Sequence, residues 1–484
     1  MSTNSGSGTT ASLFYSIGGT VTGLNGSGLT LQLNGGGDLA VAADGTFTFP
    51  AALLSGTAYL VTVSAQPALS REICGVSSGT GTVSMANITN VVINCSAVIG
   101  FLYQLGPDQI YSYGISADTG LLIAFGPPTP AGPIPVAITV APSGHYLYVT
   151  NSNVTYSNPS GLPGSISTFS VDYSTGALAP VGSPVDAGEA PGQSAISSSG
   201  FLFVFDWNDG EGYGPPPAIT SSGPQTLLEY ALDPSSGVPG LIGPVLTFPA
   251  DTAANSNIEF APTFAVTPDG RYLYVLTGSP ELNASISDTL TVYAIDPATG
   301  ALTAGASILL GDGISTMTID PLGRFLYLTS SLGTTMQEAG TVQPYAIDSS
   351  SGALTAIGTA TPVVTNGGGL AADPTGNYLY LISNLNLNAA SNTIQALSVD
   401  PSTGSVGTIG SIIQTSGAPT EVLCDPSGQF VFLQSGPLSI SPSAGVALTT
   451  FSISTSLGTP GQLMPSGPSQ PSASHAGGPI AIVE

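Results

Sequence analysis

Three features of the sequence predict an all-β protein, a seven-bladed β-propeller preceded by a small antiparallel β-sandwich. A ten-residue turn motif occurs in seven copies, a second motif interleaves with it, and a non-repeating start is built from short alternating strands. Gly and Pro, 63 and 40 of the 484 residues, fall at regular intervals between apolar β-branched and aromatic runs. That spacing is the strand-and-turn pattern rather than the composition of a disordered chain.

Composition excludes several function classes. Arg71, Arg271 and Arg324 are the only strong cations against 28 Asp plus Glu, a formal net charge of -25. Such a chain cannot neutralise a row of phosphates, so nucleic acid and anionic lipid surfaces are not expected partners. No apolar stretch approaches the roughly 18 residues of a membrane span.

Residues 1–12, MSTNSGSGTTAS, form a flexible linker with neither a basic n-region nor an apolar h-region. Linkers of this kind follow an export signal or a lipidated cysteine, so the expected location is secreted, periplasmic or on the outer cell surface. A lipid anchor would lie upstream.

Residues 13–97 alternate short strands with turn clusters and predict the sandwich. Asp44-Gly45, between Leu39-Ala40-Val41 and Thr46-Phe47-Thr48-Phe49, predicts a tight hairpin. Cys74 and Cys95 fall near the two ends of the last hairpin, where a cross-strand disulfide can span them; two buried free thiols are the alternative.

Residues 98–484 carry the repeats. The first motif, aromatic-x-aliphatic-Asp-x-x-(Thr/Ser)-Gly-x-Leu, is clearest at Phe169 to Leu178, Tyr293 to Leu302 and Tyr345 to Leu354. Its aspartates at 118, 172, 233, 296, 348 and 400 lie about 50 to 60 residues apart, enough for a four-stranded blade. They are expected to accept backbone N–H bonds within their own turns while the glycine takes the left-handed position. The second motif, Pro-x-Gly-x-aromatic-aliphatic-aromatic-aliphatic, recurs at Pro142, Pro268, Pro321, Pro374 and Pro426, with weaker copies at Phe201 and Phe101. The first blade lacks an opening strand and the chain ends on an unclaimed Pro479-Ile480-Ala481-Ile482-Val483, so the last strand is expected to close the ring.

Tyr146-Leu147-Tyr148-Val149-Thr150-Asn151 and the PDGRYLYVLT of residues 268–277 resemble the YVTN repeat, and the alternating motifs resemble the lactonase-like propeller family over nearly all of residues 99–484. The start, through YSIGGTVTGL, DGTFTF and its two cysteines, resembles the Ig-like or carboxypeptidase-regulatory-like modules of bacterial envelope proteins. The 6-phosphogluconolactonase-like members imply His and Arg near the strand entrances, often as Gly-Pro-Arg-His. The matching entrances here, such as Gly132-Pro133-Ile134-Pro135 and Gly417-Ala418-Pro419-Thr420, hold neither.

Arg271, Arg324 and His145 occupy a turn slot that Asn377 and Gln429 fill in sister repeats, and are read as structural; His475 lies in a Pro/Ser/Gly-rich segment. Acid-base chemistry would rest on carboxylates. Glu189, Glu259, Asp312 and Glu421 stand just ahead of the expected innermost strands; converging at one mouth, they would suit a hard cation such as calcium, the alternative being solvated loop carboxylates. A long insertion carries Trp207, Asp209, Glu211 and Tyr213, offering stacking faces for a sugar or partner protein, or packing its own loop onto the blade. Cys424, ending an inner strand, is read as a small buried apolar residue.

The expected function is a binding propeller at the cell surface for a protein, glycan or cation. A lactonase-like hydrolase using carboxylates, with or without a metal, is the alternative, and a self-associating structural protein the third reading.

Overall fold

The computed structural model describes residues 13–68, 71–152, 163–206, 225–248, 263–277, 288–310, 313–331, 340–363, 368–383, 392–436, 447–456, 459–466 and 479–484, and the strand backbone at 154–155, 158–159 and 470–471. All of the regular structure described is β.

The first module holds β1 (Phe14–Thr22), β2 (Leu29–Leu33), β3 (Gly36–Val41), β4 (Gly45–Leu54), β5 (Ala58–Ala65), β6 (Glu72–Ser77), β7 (Thr80–Thr82) and the first half of β8 (Ile88–Leu105). One sheet runs β4-β1-β8-β6 and the other β3-β2-β5-β7. Their alternating inward side chains, among them Ile17, Leu29, Leu31, Phe47, Phe49, Val61, Val91 and Ile93, make one core.

Two expectations are corrected here. The β1–β8 pair runs parallel, so the sandwich is not wholly antiparallel. Asp44-Gly45 is not a hairpin, because β3 pairs with β2 while β4 pairs with β1 in the other sheet. The Asp44 carboxylate turns away to accept the Gly23 and Leu24 amides at 2.9 and 2.8 Å, which fixes a crossing between sheets. The Glu72 carboxylate takes the next two amides, Asn25 and Gly26. Cys74 and Cys95 are register partners on β6 and β8 and form the disulfide.

β8 does not stop at residue 97. Its first half pairs with β1 and β6, and its second half, from Val98, pairs with the next strand at Gln109–Ser116. A single strand therefore belongs to both modules. Arg71 reinforces the junction: its carbonyl accepts the Val98 amide at 2.9 Å, and its guanidinium lies 5.9 Å from the Phe101 ring centroid.

Seven blades follow, numbered 1 to 7, the first continuous through β8 with a sheet of the first module and the other six each a sheet of its own. The innermost strands are Ile480–Val483 for blade 1, then Pro135–Val140, Pro191–Ile196, Thr263–Val266, Ile314–Ile319, Gly369–Ala372 and Ala418–Cys424. Each meets the next and the last meets the first, so the ring is closed around a channel. Closure is made by the C-terminal strand, which pairs antiparallel with Phe101–Gln104 of β8.

The two sequence motifs meet across every seam between blades. The first aromatic of the second motif lies against the turn glycine of the following blade: Phe101 on Gly176, Tyr146 on Gly237, Phe201 on Gly300, Tyr272 on Gly352, Phe325 on Gly404, Tyr378 on Gly461 and Phe430 on Gly120. Those glycines have φ between +67° and +78°, and a Cβ on any of them would strike the ring. The glycine is thus required twice, by its backbone and by its neighbour.

Within the turns the aspartates act as read from sequence; Asp172 Oδ1 accepts the Ser174 and Thr175 amides at 2.8 and 3.1 Å. Blade 1 departs from this. Its turn amide, Gly120, bonds the carbonyl of Ser116, the same four-residue closure that Gly176 makes with Asp172, so Ser116 and not Asp118 holds the repeat position.

Candidate functional site at the channel wall

Strand ends near the inner-strand entrances carry a ring of polar side chains, buried in all but the half-buried Thr277. The second strand of blades 2 to 7 carries, as its last or next-to-last residue, Asn151, Asp206, Thr277, Ser330, Ser383 and Ser435. Asp206 Oδ1 accepts the Ala190 amide at 2.9 Å, and Gly188 passes so close to that carboxylate that a side chain there would collide. Asn151 sits likewise against Gly132. Sequence reasoning missed this ring, although its signal is simple: a polar residue five positions after the first aromatic of the second motif.

Of the four proposed cation ligands, two are described. Glu189 is exposed at the corner leading into blade 3. Glu421 is not ahead of its strand but within it, three residues after Ala418, since Ala418 and Pro419 already pair with Gly436 and Ser435. Blades 3 and 7 are not neighbours in the ring, and among the described residues no three His, Cys, Asp or Glu gather as metal ligands. Glu259 and Asp312 lie outside the described residues, as do Trp207, Asp209, Glu211 and Tyr213.

Glu421 is an acidic side chain that the fold sets on an inner strand of the ring. A register shift between Pro419 and Glu421 lets it turn toward blade 1, where its Oε2 accepts the amide of Ile480, the first residue of the closing strand, at 2.9 Å. Oε1 accepts no hydrogen bond from the described residues. Burial among inner strands pushes the carboxyl up to about 7, the single amide bond offsetting only part of the effect. Beside it, Gln434 is its cross-strand partner. The Gln434 amide donates to Thr420 Oγ1 at 3.3 Å and its oxygen accepts Gln104 Nε2 at 2.8 Å, a neutral polar bridge from blade 7 to blade 1.

Among the described residues no cation stands with this group. Arg271 and Arg324 are in turns at the far end of the inner strands, paired with Asp269 and Asp320 at 2.7 and 2.8 Å, and Arg71 is at the module junction. Cys424 ends the same strand as Glu421; it packs into the core between blades 6 and 7, and burial pushes its thiol well above the usual range. It is no nucleophile in that state.

Residues 230–367 and 331–436 match the family model for lactonase, seven-bladed β-propeller. Over these residues the propeller resembles the lactonase family. This match takes in a little under half of the chain. Among solved structures, the chain resembles the periplasmic gluconolactonase PpgL of Pseudomonas aeruginosa, at 19% identity and TM-score 0.57, over 80% of this chain and 99% of that one. A Bacteroides fragilis protein provisionally named a 6-phosphogluconolactonase matches at 16% identity and TM-score 0.57, over 80% and 98%. At these identities the likeness is one of fold. No curated protein sequence matches the chain.

Proposed function

We propose that the propeller hydrolyses an uncharged lactone at the channel wall, with Glu421 as general base. The observation that carries the reading is a carboxyl held near 7 on the inner strand of a closed propeller, with one oxygen bonded to a backbone amide and the other open. A base poised near neutrality serves both halves of such a reaction. Ionised Glu421 takes a proton from water as its oxygen adds to the lactone carbonyl. The ring C–O bond then breaks, and the same proton passes to the leaving alkoxide.

Charge decides the substrate class. The chain has no lysine, and its three arginines are engaged elsewhere. A phosphate-bearing lactone would face a net-acidic protein with no counter-charge at the site, whereas neutral hydroxyls suit the Gln434 and Thr420 donors. An extracytoplasmic setting is supported by the Cys74–Cys95 disulfide.

The test is hydrolysis of glucono-1,5-lactone and of its 6-phosphate, with and without calcium, by the wild type and by Glu421→Gln. The expected outcome is turnover of the neutral lactone only, lowered about 10²- to 10⁴-fold in the variant. Turnover no faster than the spontaneous reaction overturns the proposal and leaves the channel as a binding surface for an uncharged glycan or a protein. Rates restored only by calcium would return the acidic quartet to consideration.

A further inference from the structure

The seams between blades show a gap in a repeated hydrogen bond, and one buried acid stands in that gap. The second aromatic of the second motif is tyrosine in five blades. In four of them its hydroxyl donates to the turn glycine of the next blade: Tyr103 to the Gly176 carbonyl, Tyr148 to Gly237, Tyr274 to Gly352 and Tyr380 to Gly461, at 2.7 to 3.2 Å. Blades 3 and 7 have Phe203 and Phe432 instead and cannot make this bond.

Blade 7 repairs the loss from the adjoining strand. Thr450, the cross-strand partner of Phe432, donates its hydroxyl to the Gly120 carbonyl at 3.3 Å. In blade 3 the same cross-strand position, opposite Phe203, is Glu229. Its side chain is 1% exposed, its Oε1 has no hydrogen-bond partner, and it fills the space that a side chain on Gly300 would take. The tyrosine blades have Ser112, Thr168, Val292, Pro344 and Ala396 there, none of them acidic.

We propose that Glu229 is kept as a neutral acid which donates its proton to the Gly300 carbonyl, replacing the hydroxyl that Phe203 lacks, so that the seam between blades 3 and 4 loosens when the carboxyl ionises. A carboxylate has only lone pairs to present, and facing a carbonyl in a dry seam it is repelled; the neutral acid has an O–H to give. Burial alone raises this group, to about 7. The ionisable groups on the elements packed against it are Tyr230, Asp233 and Asp206 of its own blade and Tyr293 and Asp296 of blade 4, and none is a cation that could hold the charged form. The strand on its other side, Pro239–Thr247, contributes only Gly243 opposite it and no ionisable residue.

Amide hydrogen exchange on the full chain between pH 5.5 and 8.5, corrected for intrinsic chemistry, tests this at the blade 4 turn, 296–302, with the turn 233–238 as an internal control. We expect exchange at 296–302 to rise by about tenfold per unit from pH 5.5 to about 7 and to level off above it, while the control turn stays constant. Glu229→Gln, whose amide donates at every pH, should remove that rise, and so should the double variant Phe203→Tyr with Glu229→Ala, which restores the hydroxyl. A wild-type turn insensitive to pH, or a rise that persists in either variant, overturns the proposal. If Glu229→Gln does not fold, the double variant gives the same reading.

Discussion

The hydroxyl of Tyr103 donates to the carbonyl of Gly176, 73 residues away, at 2.8 Å, and so joins the middle of one repeat's strand to the turn of the next. Propeller blades share no backbone ladder with their neighbours, so side chains and turns at these seams must hold the ring. The same pair of positions recurs around the molecule, which makes it the natural place to test what stabilises the fold.

At the seam between blades 2 and 3, Tyr148→Phe should cost about 1–2 kcal/mol, the value of one buried hydrogen bond whose acceptor is left unpaired. Gly237→Ala should cost more, because the new methyl meets both a left-handed φ of 71° and the Tyr146 ring. Denaturant unfolding of the two variants reads the difference; an equal or reversed order would show that the seam yields easily.

Stability should depend on pH in a window set by two acids. Burial holds Glu229 and Glu421 near 7 in the folded chain against about 4.5 when exposed, so the native state binds more protons and stability falls as pH rises from 4.5 through 7. The turn aspartates act oppositely. Asp233 and Asp348 are drawn down to about 2 by Ser hydroxyls and backbone amides, so their contribution is present above 4 and lost as pH falls. The melting temperature should therefore peak near pH 4 to 5, and Glu421→Gln should flatten its decline toward pH 8.

Reducing the disulfide should destabilise the first module by about 3 kcal/mol in the chain-entropy model. Because β8 runs unbroken into blade 1, calorimetry of the Cys74→Ala, Cys95→Ala variant should show the propeller transition lowered as well. An unchanged propeller transition would mean that the two modules unfold independently despite the shared strand.

Removal of residues 479–484 deletes the inner strand of blade 1 and the amide that Glu421 holds. The whole propeller should melt at lower temperature, and Glu421 should titrate as an ordinary exposed carboxylate. A melting temperature equal to that of the full chain would refute closure by this strand.

Much of this protein was legible before any coordinates. The repeat period, the turn aspartates at 172, 233, 296, 348 and 400, the Cys74–Cys95 pair and the shortage of cations are all local or compositional: ten residues contain a turn and its hydrogen bonds, and a count contains the charge. The hairpin expected at Asp44-Gly45 was misread because the same dipeptide serves a crossing between sheets when its carboxylate is claimed by amides 20 and 21 residues away. Only the tertiary structure decided that Phe430 rests on Gly120, that β8 serves two modules, and that Glu421 and Glu229 are enclosed while Glu189 is not. The reason is physical. A seam contact joins residues up to 330 apart, and a carboxyl's affinity for its proton is set by what surrounds it in space, which no stretch of neighbouring sequence contains.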